Sequence, residues 1–325
     1  MPSLSASLIK LQLRLAKPIL RFTGIEAARI AQDNVGKLGA RALLDRVTFA
    51  DESLPEFAVS FATPCGCETA DTHAILYLHG GGYVAGTLDY AKGFGGLLAA
   101  EAHVNTLCVA YRLAPEHKFP AALDDAYEAY RFLLGRGYAP EHIAFAGESA
   151  GGGLMFALLL RLKDEGLPMP ACAVGISPWV DLTLSGRSCR NNVSRDPSLI
   201  RESIAYYVIV YAAGREDEPL VSPLLGDLCG LPPALLFAGA DEILLSDAVS
   251  LYEKLTTCGG RAELVVERGM WHVYPLFGTR ESRLAMAHMR AFIRKELGLP
   301  PLPEKASRAG RRAKSRDWRN GACAN

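Results

Sequence analysis

From about Ile75 to Leu297 the chain alternates short apolar runs with longer helix-forming stretches, and no break interrupts the alternation. Runs such as Ala74–Leu78, Thr106–Ala110, Ile143–Ala146, Cys172–Ser177, Ala234–Ala240 and Ala262–Val266 are the length of buried strands, and each is followed by a segment of helical composition or by a loop. Strands joined by crossover helices must lie parallel, and a parallel sheet needs helices on both faces. The pattern therefore predicts one large α/β domain rather than the two that 325 residues would permit. Two further runs, Arg46–Ala50 and Glu56–Ala62, alternate with period 2 and suit an antiparallel edge of the same sheet.

One turn stands out within that frame. Gly147-Glu148-Ser149-Ala150-Gly151 joins the apolar run Ile143–Ala146 to the helical run Leu154–Leu162. A serine on a sharp strand-to-helix turn has its Oγ pushed clear of the sheet, and small neighbours are required because a Cβ would strike the adjoining strand or helix. Ser149 is thus a candidate nucleophile. A serine hydroxyl needs a base in hydrogen-bond reach, and the base needs a carboxylate that fixes its tautomer and balances its charge. Asp241 follows one of the last two strands, and His272 follows the other after the turn Arg268-Gly269-Met270. Asp247 competes as the acid, but it falls inside the next helix, where a solvated role is expected. Of the seven histidines, His117 precedes Ser149, whereas His272 alone lies in a loop beyond Asp241. The run His79-Gly80-Gly81-Gly82-Tyr83 ends another strand, and its glycines let backbone N–H groups come close to a developing oxyanion. The Ala150 N–H, next to the nucleophile, falls in the same donor role, and His79 is expected to hold the loop. Phosphate-binding glycine fingerprints are absent.

HGGGY at 79–83, YRLAPEH at 111–117, GESAGG at 147–152, SPWVDL at 177–182 and DEILLSD at 241–247 together resemble the hormone-sensitive-lipase-like family of esterases, a branch of the α/β-hydrolase fold. The resemblance spans roughly residues 60–297. It implies a mostly parallel eight-stranded sheet flanked by helices, a Ser149–Asp241–His272 triad, Gly81, Gly82 and Ala150 as oxyanion donors with His79 and Gly80 as the structural part of that motif, and a helical cap over the active site. Two departures stand out: Glu148 occupies a position where Asp is usual, and Asp-Glu-Ile-Leu replaces the common Asp-Pro-Leu. The cap would comprise residues 1–45 and an insertion at about 185–214, with the hydrolase domain at 46–300. Tyr83, Glu148, Trp179, Tyr206 and Tyr207 are the candidate substrate-pocket residues. The implied reaction is hydrolysis of short- to medium-chain acyl esters without metal or cofactor. A lactone, carbamate or amide substrate stays open. Non-catalytic receptors on the same scaffold lack a working histidine, which His272 supplies here.

The N-terminal stretch 4–30 reads as helical with an interruption at Pro18. Lys10, Arg14, Lys17 and Arg21 share one face, opposite Leu8, Leu11, Leu15, Ile19 and Phe22. The apolar face is expected to pack on the domain over the strand ends, leaving the basic face in water. Formal net charge is zero, which gives no reason to expect nucleic acid, and no apolar stretch has the length of a membrane span. No stable membrane association is expected, and a homodimer is left open. Eight cysteines without zinc-like spacing are read as small apolar residues in a reducing cytoplasm. Residues 301–325 are basic and poor in large apolar side chains, the composition of a disordered tail.

Overall fold

The computed structural model describes residues 2–20 and 24–302. Arg21, Phe22 and the tail beyond residue 302 lie outside the described residues. Eight strands form one sheet: β1 (Val47–Ser53), β2 (Ala58–Pro64), β3 (Ala74–Leu78), β4 (Asn105–Ala110), β5 (Ile143–Glu148), β6 (Cys172–Ile176), β7 (Ala234–Gly239) and β8 (Ala262–Glu267). Their spatial order is β1-β2-β4-β3-β5-β6-β7-β8. β1 and β2 are the antiparallel edge, and every pair from β4 to β8 is parallel.

The helices are α1 (Leu4–Leu20), α2 (Ile25–Arg41), α3 (Leu88–Ala102), α4 (Ala121–Gly135), α5 (Ala150–Asp164), α6 (Ser188–Asn191), α7 (Arg201–Ala212), α8 (Leu245–Thr257) and α9 (Arg280–Glu296). Along β3, Ala74, Leu76 and Leu78 join the core under α4, α5, α7 and α8, while Ile75 and Tyr77 join the core under α3 and α9. That is the two-fold side-chain period of a strand buried on both faces. Helix α2 lies close against α3 because small residues meet there: a Cβ on Gly36 would come within 2.3 Å of Tyr90 Cα.

The parallel register brings the functional loops to one end of the sheet. Leu78 pairs with Gly147, so the His79–Gly82 loop leaves β3 beside the Ser149 turn. Ile176 pairs with Phe237 and Gly239 with Glu267, which aligns the exits of β6, β7 and β8 with the same rim.

Helix α1 is turned the other way from the expected orientation. Leu4, Leu8, Leu11 and Leu15 are 92%, 57%, 54% and 69% exposed. The face toward the domain carries Ala6, Ile9, Lys10, Leu13 and Lys17. Leaving a leucine in water forgoes about 1.5–3 kcal/mol relative to burying it. The lysines explain the choice: Lys10 bonds Asp241 and the Gly269 carbonyl, and Lys17 bonds the carbonyls of Val193 and Asp196. Hydrogen bonds involving a charged group contribute about 1.5–3 kcal/mol each, enough to compete with the apolar row. The spacing of leucines and lysines within the helix carries no trace of these bonds, because all four acceptors lie far along the chain.

The cysteine reading also changes. Cys229 and Cys258 form a disulfide, their Cα atoms 5.0 Å apart, while Cys108 and Cys172 are the buried apolar residues expected. No helix among the described residues is long and apolar enough to cross a membrane.

Candidate active site

Ser149 sits between β5 and α5 with φ 51° and ψ −122°, a conformation that costs a non-glycine residue on the order of 1–3 kcal/mol. The turn is held tightly. Ser149 N donates to Ile176 O, and Trp179 N donates to Ser149 O, each at 2.9 Å. A Cβ on Gly147 would lie 2.4 Å from Gly151 O, and one on Gly151 would lie 2.1 Å from Leu78 O, so both glycines are sterically required. Ser149 Oγ lies 2.8 Å from His272 Nε2.

The other edge of His272 faces Glu242, with Nδ1 3.2 Å from Oε2. Asp241, the acid expected from sequence, is elsewhere. Its Oδ2 takes the Lys10 ammonium, and its Oδ1 lies 2.5 Å from Arg195 Nη2. Burial works the other way, but these two cations hold the Asp241 carboxyl below the usual carboxylate range. Glu242 is fully buried, and burial pushes its carboxyl up, opposed by His272 and by the Ser177 hydroxyl. Neighbouring side chains at a strand end point in different directions, and only the longer Glu242 is aimed at the imidazole. Asp247 is not the solvated residue expected either. It is buried, and its Oδ2 accepts the N–H groups of Val180 and Asp181 at 3.0 and 2.9 Å.

The histidine loop is fixed from below. Val273 N donates to Ser177 Oγ at 3.0 Å, and Val273 has φ 50°, an outlier for a β-branched residue. Such strain persists only where surrounding contacts over-determine it.

Gly81 and Gly82 have φ 119° and 64°, and among the described residues nothing accepts a hydrogen bond from the N–H of Gly81, Gly82 or Ala150. A Cβ on Gly81 would meet Ala85 O at 2.1 Å. The loop rests on two supports. His79 is stacked on Tyr111 with ring centroids 4.2 Å apart, and its Nδ1 donates to Gly80 O at 2.6 Å. Burial lowers the His79 imidazole to about 4, so it is neutral at ordinary pH. Glu148 is the second support: it accepts Gly80 N at 3.1 Å, Tyr90 OH at 2.6 Å and Tyr77 OH at 2.8 Å. Burial raises the Glu148 carboxyl in spite of these three donors.

A cavity of about 210 Å³ opens over Ser149, Gly81, Gly82 and His272. Its walls include Ala28 and Gln32 of α2, Trp179, and Leu199, Ile204 and Tyr207 from the segment around α7. Glu148, Trp179 and Tyr207 thus lie where the sequence reading put them. Tyr83 does not: it is buried and stacked on Tyr211 with centroids 3.8 Å apart. Tyr206 is 51% exposed and is not among the described residues that line the cavity. Helix α1 supplies none of the described lining.

A family profile described as the alpha/beta hydrolase fold matches residues 75–276. The chain belongs to the α/β-hydrolase family. Among curated relatives of this α/β-hydrolase, an acetyl-hydrolase of Streptomyces hygroscopicus is 38% identical over 70% of the chain and 77% of its own length. A solved esterase of the bacterial hormone-sensitive lipase family superposes with a TM-score of 0.82 at 33% identity, covering 92% of the chain and all of that protein. EstE5, whose crystal was soaked with p-nitrophenyl butyrate, gives 0.83 at 33% identity over 91% and 99%. The resemblance in the sequence motifs is therefore confirmed at the level of family, and this α/β-hydrolase is a carboxylic-ester hydrolase of the hormone-sensitive-lipase-like branch.

Proposed function

We propose that the enzyme hydrolyses short- to medium-chain acyl esters through an acyl-enzyme on Ser149, with His272 as base and Glu242 as the acid behind it. The observation that carries the proposal is the continuous relay from Ser149 Oγ to His272 Nε2 at 2.8 Å and from His272 Nδ1 to Glu242 Oε2 at 3.2 Å. Ser149 Oγ attacks the ester carbonyl carbon as His272 Nε2 takes its proton. The carbonyl oxygen becomes an oxyanion, met by the N–H groups of Gly81, Gly82 and Ala150. Collapse breaks the bond to the alcohol oxygen, which leaves with the proton from His272. Water then loses a proton to His272, its oxygen attacks the acyl carbon, and the acid departs as Ser149 recovers its proton. The Glu242 carboxylate balances the imidazolium in both halves.

The small, mostly apolar cavity supports short acyl groups, as does the butyrate ester used with EstE5. A panel of p-nitrophenyl acetate, butyrate, octanoate and palmitate, compared by kcat/KM beside a matched anilide and a lactone, tests this reading. Preference for acetate or butyrate over palmitate, the anilide and the lactone is expected. A faster anilide or lactone, or palmitate as best substrate, contradicts it.

A further inference from the structure

Asp241, displaced from the role of catalytic acid, is the point where two separate stretches of chain converge. Lys10 reaches it from α1, and Arg195 reaches it from the loop between α6 and α7. Lys10 also donates to Gly269 O at 2.9 Å, in the loop that carries His272. Thus one ammonium group touches both the acid-bearing and the histidine-bearing loop. The two loops meet directly as well, since Asp241 N donates to Met270 O at 3.1 Å.

The loop between α6 and α7 grips the acid loop from its other side. Asn192 Nδ2 donates to Glu242 O at 2.9 Å, and Asp196 Oδ2 accepts Ile243 N at 2.9 Å. Lys17 ties α1 to that same loop through Asp196 O at 2.6 Å. At the start of α1, Ser3 N and Oγ donate to Glu281 of α9 at 2.7 and 2.8 Å. The bonds form a closed circuit through α1, the 192–198 loop, the acid loop and the histidine loop. α1 contributes none of the described cavity wall, and its leucines at 4, 8, 11 and 15 face water. Its polar ties therefore need a reason other than substrate contact or simple apolar burial.

We propose that Lys10 is a positioning residue: by bridging Asp241 and Gly269 it holds Glu242 in register with His272, so the relay is aligned only while α1 is seated. Asp241 is the handle and Glu242, its chain neighbour, is what the handle sets. Unseating α1 removes Lys10 from both loops, lengthens the Glu242–His272 contact and weakens the base. The N-terminal helix in this way reports its position to the catalytic centre without touching substrate. The inference rests on the proposed role of Glu242.

Steady-state kinetics on p-nitrophenyl acetate, a substrate too small to sense α1, tests it on the full chain, with circular dichroism confirming that each variant is folded at the assay temperature. Lys10→Met and Asp241→Asn should each lower kcat about tenfold with KM nearly unchanged, and the double variant should lose no more than either single, since residues acting through one contact are not additive. Lys10→Arg should restore most of kcat. The rate of organophosphate labelling at Ser149 should fall in step, because it also depends on His272 as base. Should Lys10→Met fold poorly, Lys10→Gln keeps a donor for Gly269 and should show the same kcat-only loss. An unchanged kcat in the folded variant, a loss confined to KM, or additive losses in the double variant would overturn the inference. A Glu242→Gln control separates the two levels. If it is inactive while Lys10→Met is normal, only the inference fails. If it is fully active, the reading of Glu242 fails and the inference with it.

Discussion

Glu242 Oε2 lies 3.2 Å from His272 Nδ1, while the carboxyl of the adjacent Asp241 is held by Lys10 and Arg195. The two carboxylates are chain neighbours with distinct partners, and substitution should separate their effects. Glu242→Gln should lower kcat by about 10⁴, because the amide holds the wrong imidazole tautomer and cannot balance the cation. Asp241→Asn should cost far less. Parallel kcat measurements on one ester decide it, and the reverse ranking would return the acid to Asp241.

His79 predicts an acid-sensitive fold. Its imidazole is lowered from 6.5 to about 4 by burial, with the bond to Gly80 O opposing. The unfolded chain therefore takes up a proton near 6.5 that the folded chain refuses until about 4. A depressed folded value gives stability that is present above 6.5 and lost as pH falls toward 4. At 1.36 kcal/mol per unit the loss is roughly 3 kcal/mol. Urea denaturation at several pH values should show it in the wild type, and His79→Gln should remove the decline over that window. An identical decline in the variant would assign the acid sensitivity to other groups.

Asp247 works in the opposite direction. Burial, reinforced by the nearby Asp181 carboxylate, raises its carboxyl well above the usual range. A raised folded value means the protonated form is favoured, so stability present at acidic pH is lost as pH rises through that value. Asn stays neutral throughout, and its Oδ1 can still accept Val180 N and Asp181 N. Asp247→Asn should thus flatten the fall of Tm that begins as pH rises above the ordinary carboxyl value of 3.8. A steeper fall than wild type would contradict the assignment.

Gly82 tests the oxyanion loop. A Cβ there would come within 2.5 Å of the Tyr207 ring, and the backbone sits at φ 64°. Gly82→Ala should displace the loop and lower kcat by about 10²–10³, the effect of losing one oxyanion donor. Pairing it with Tyr207→Ala removes the clash and should recover part of kcat. If the second change recovers nothing, backbone strain alone accounts for the defect.

Much of this site was legible because its motifs are backbone requirements. The glycines flanking Ser149 and the His79–Gly82 run are dictated by close approach, and close approach leaves a mark in residue type. His272 followed from loop position and chain order. The acid was harder. Asp241 and Glu242 occupy the same strand exit, and which of them faces His272 depends on side-chain direction, which spacing does not encode; the Glu242 that stands where Pro is common was the available signal. Helix α1 shows the same limit on a larger scale. Its apolar row predicts burial, yet Lys10 and Lys17 find partners at Asp241, Gly269, Val193 and Asp196 and turn the helix over. Cys229 and Cys258 pair across loops 29 residues apart, a distance at which sequence offers no partner.

The central claim is that Ser149 is the atom that attacks. Intact-mass and peptide mass spectrometry after treatment with a diethyl p-nitrophenyl phosphate tests it most directly. One diethylphosphoryl adduct per chain is predicted, on the peptide bearing Ser149, appearing in step with loss of esterase activity and absent from an inactive, folded Ser149→Ala variant. An adduct on another residue, or a Ser149→Ala enzyme that still turns over its ester at the wild-type rate, would contradict the account.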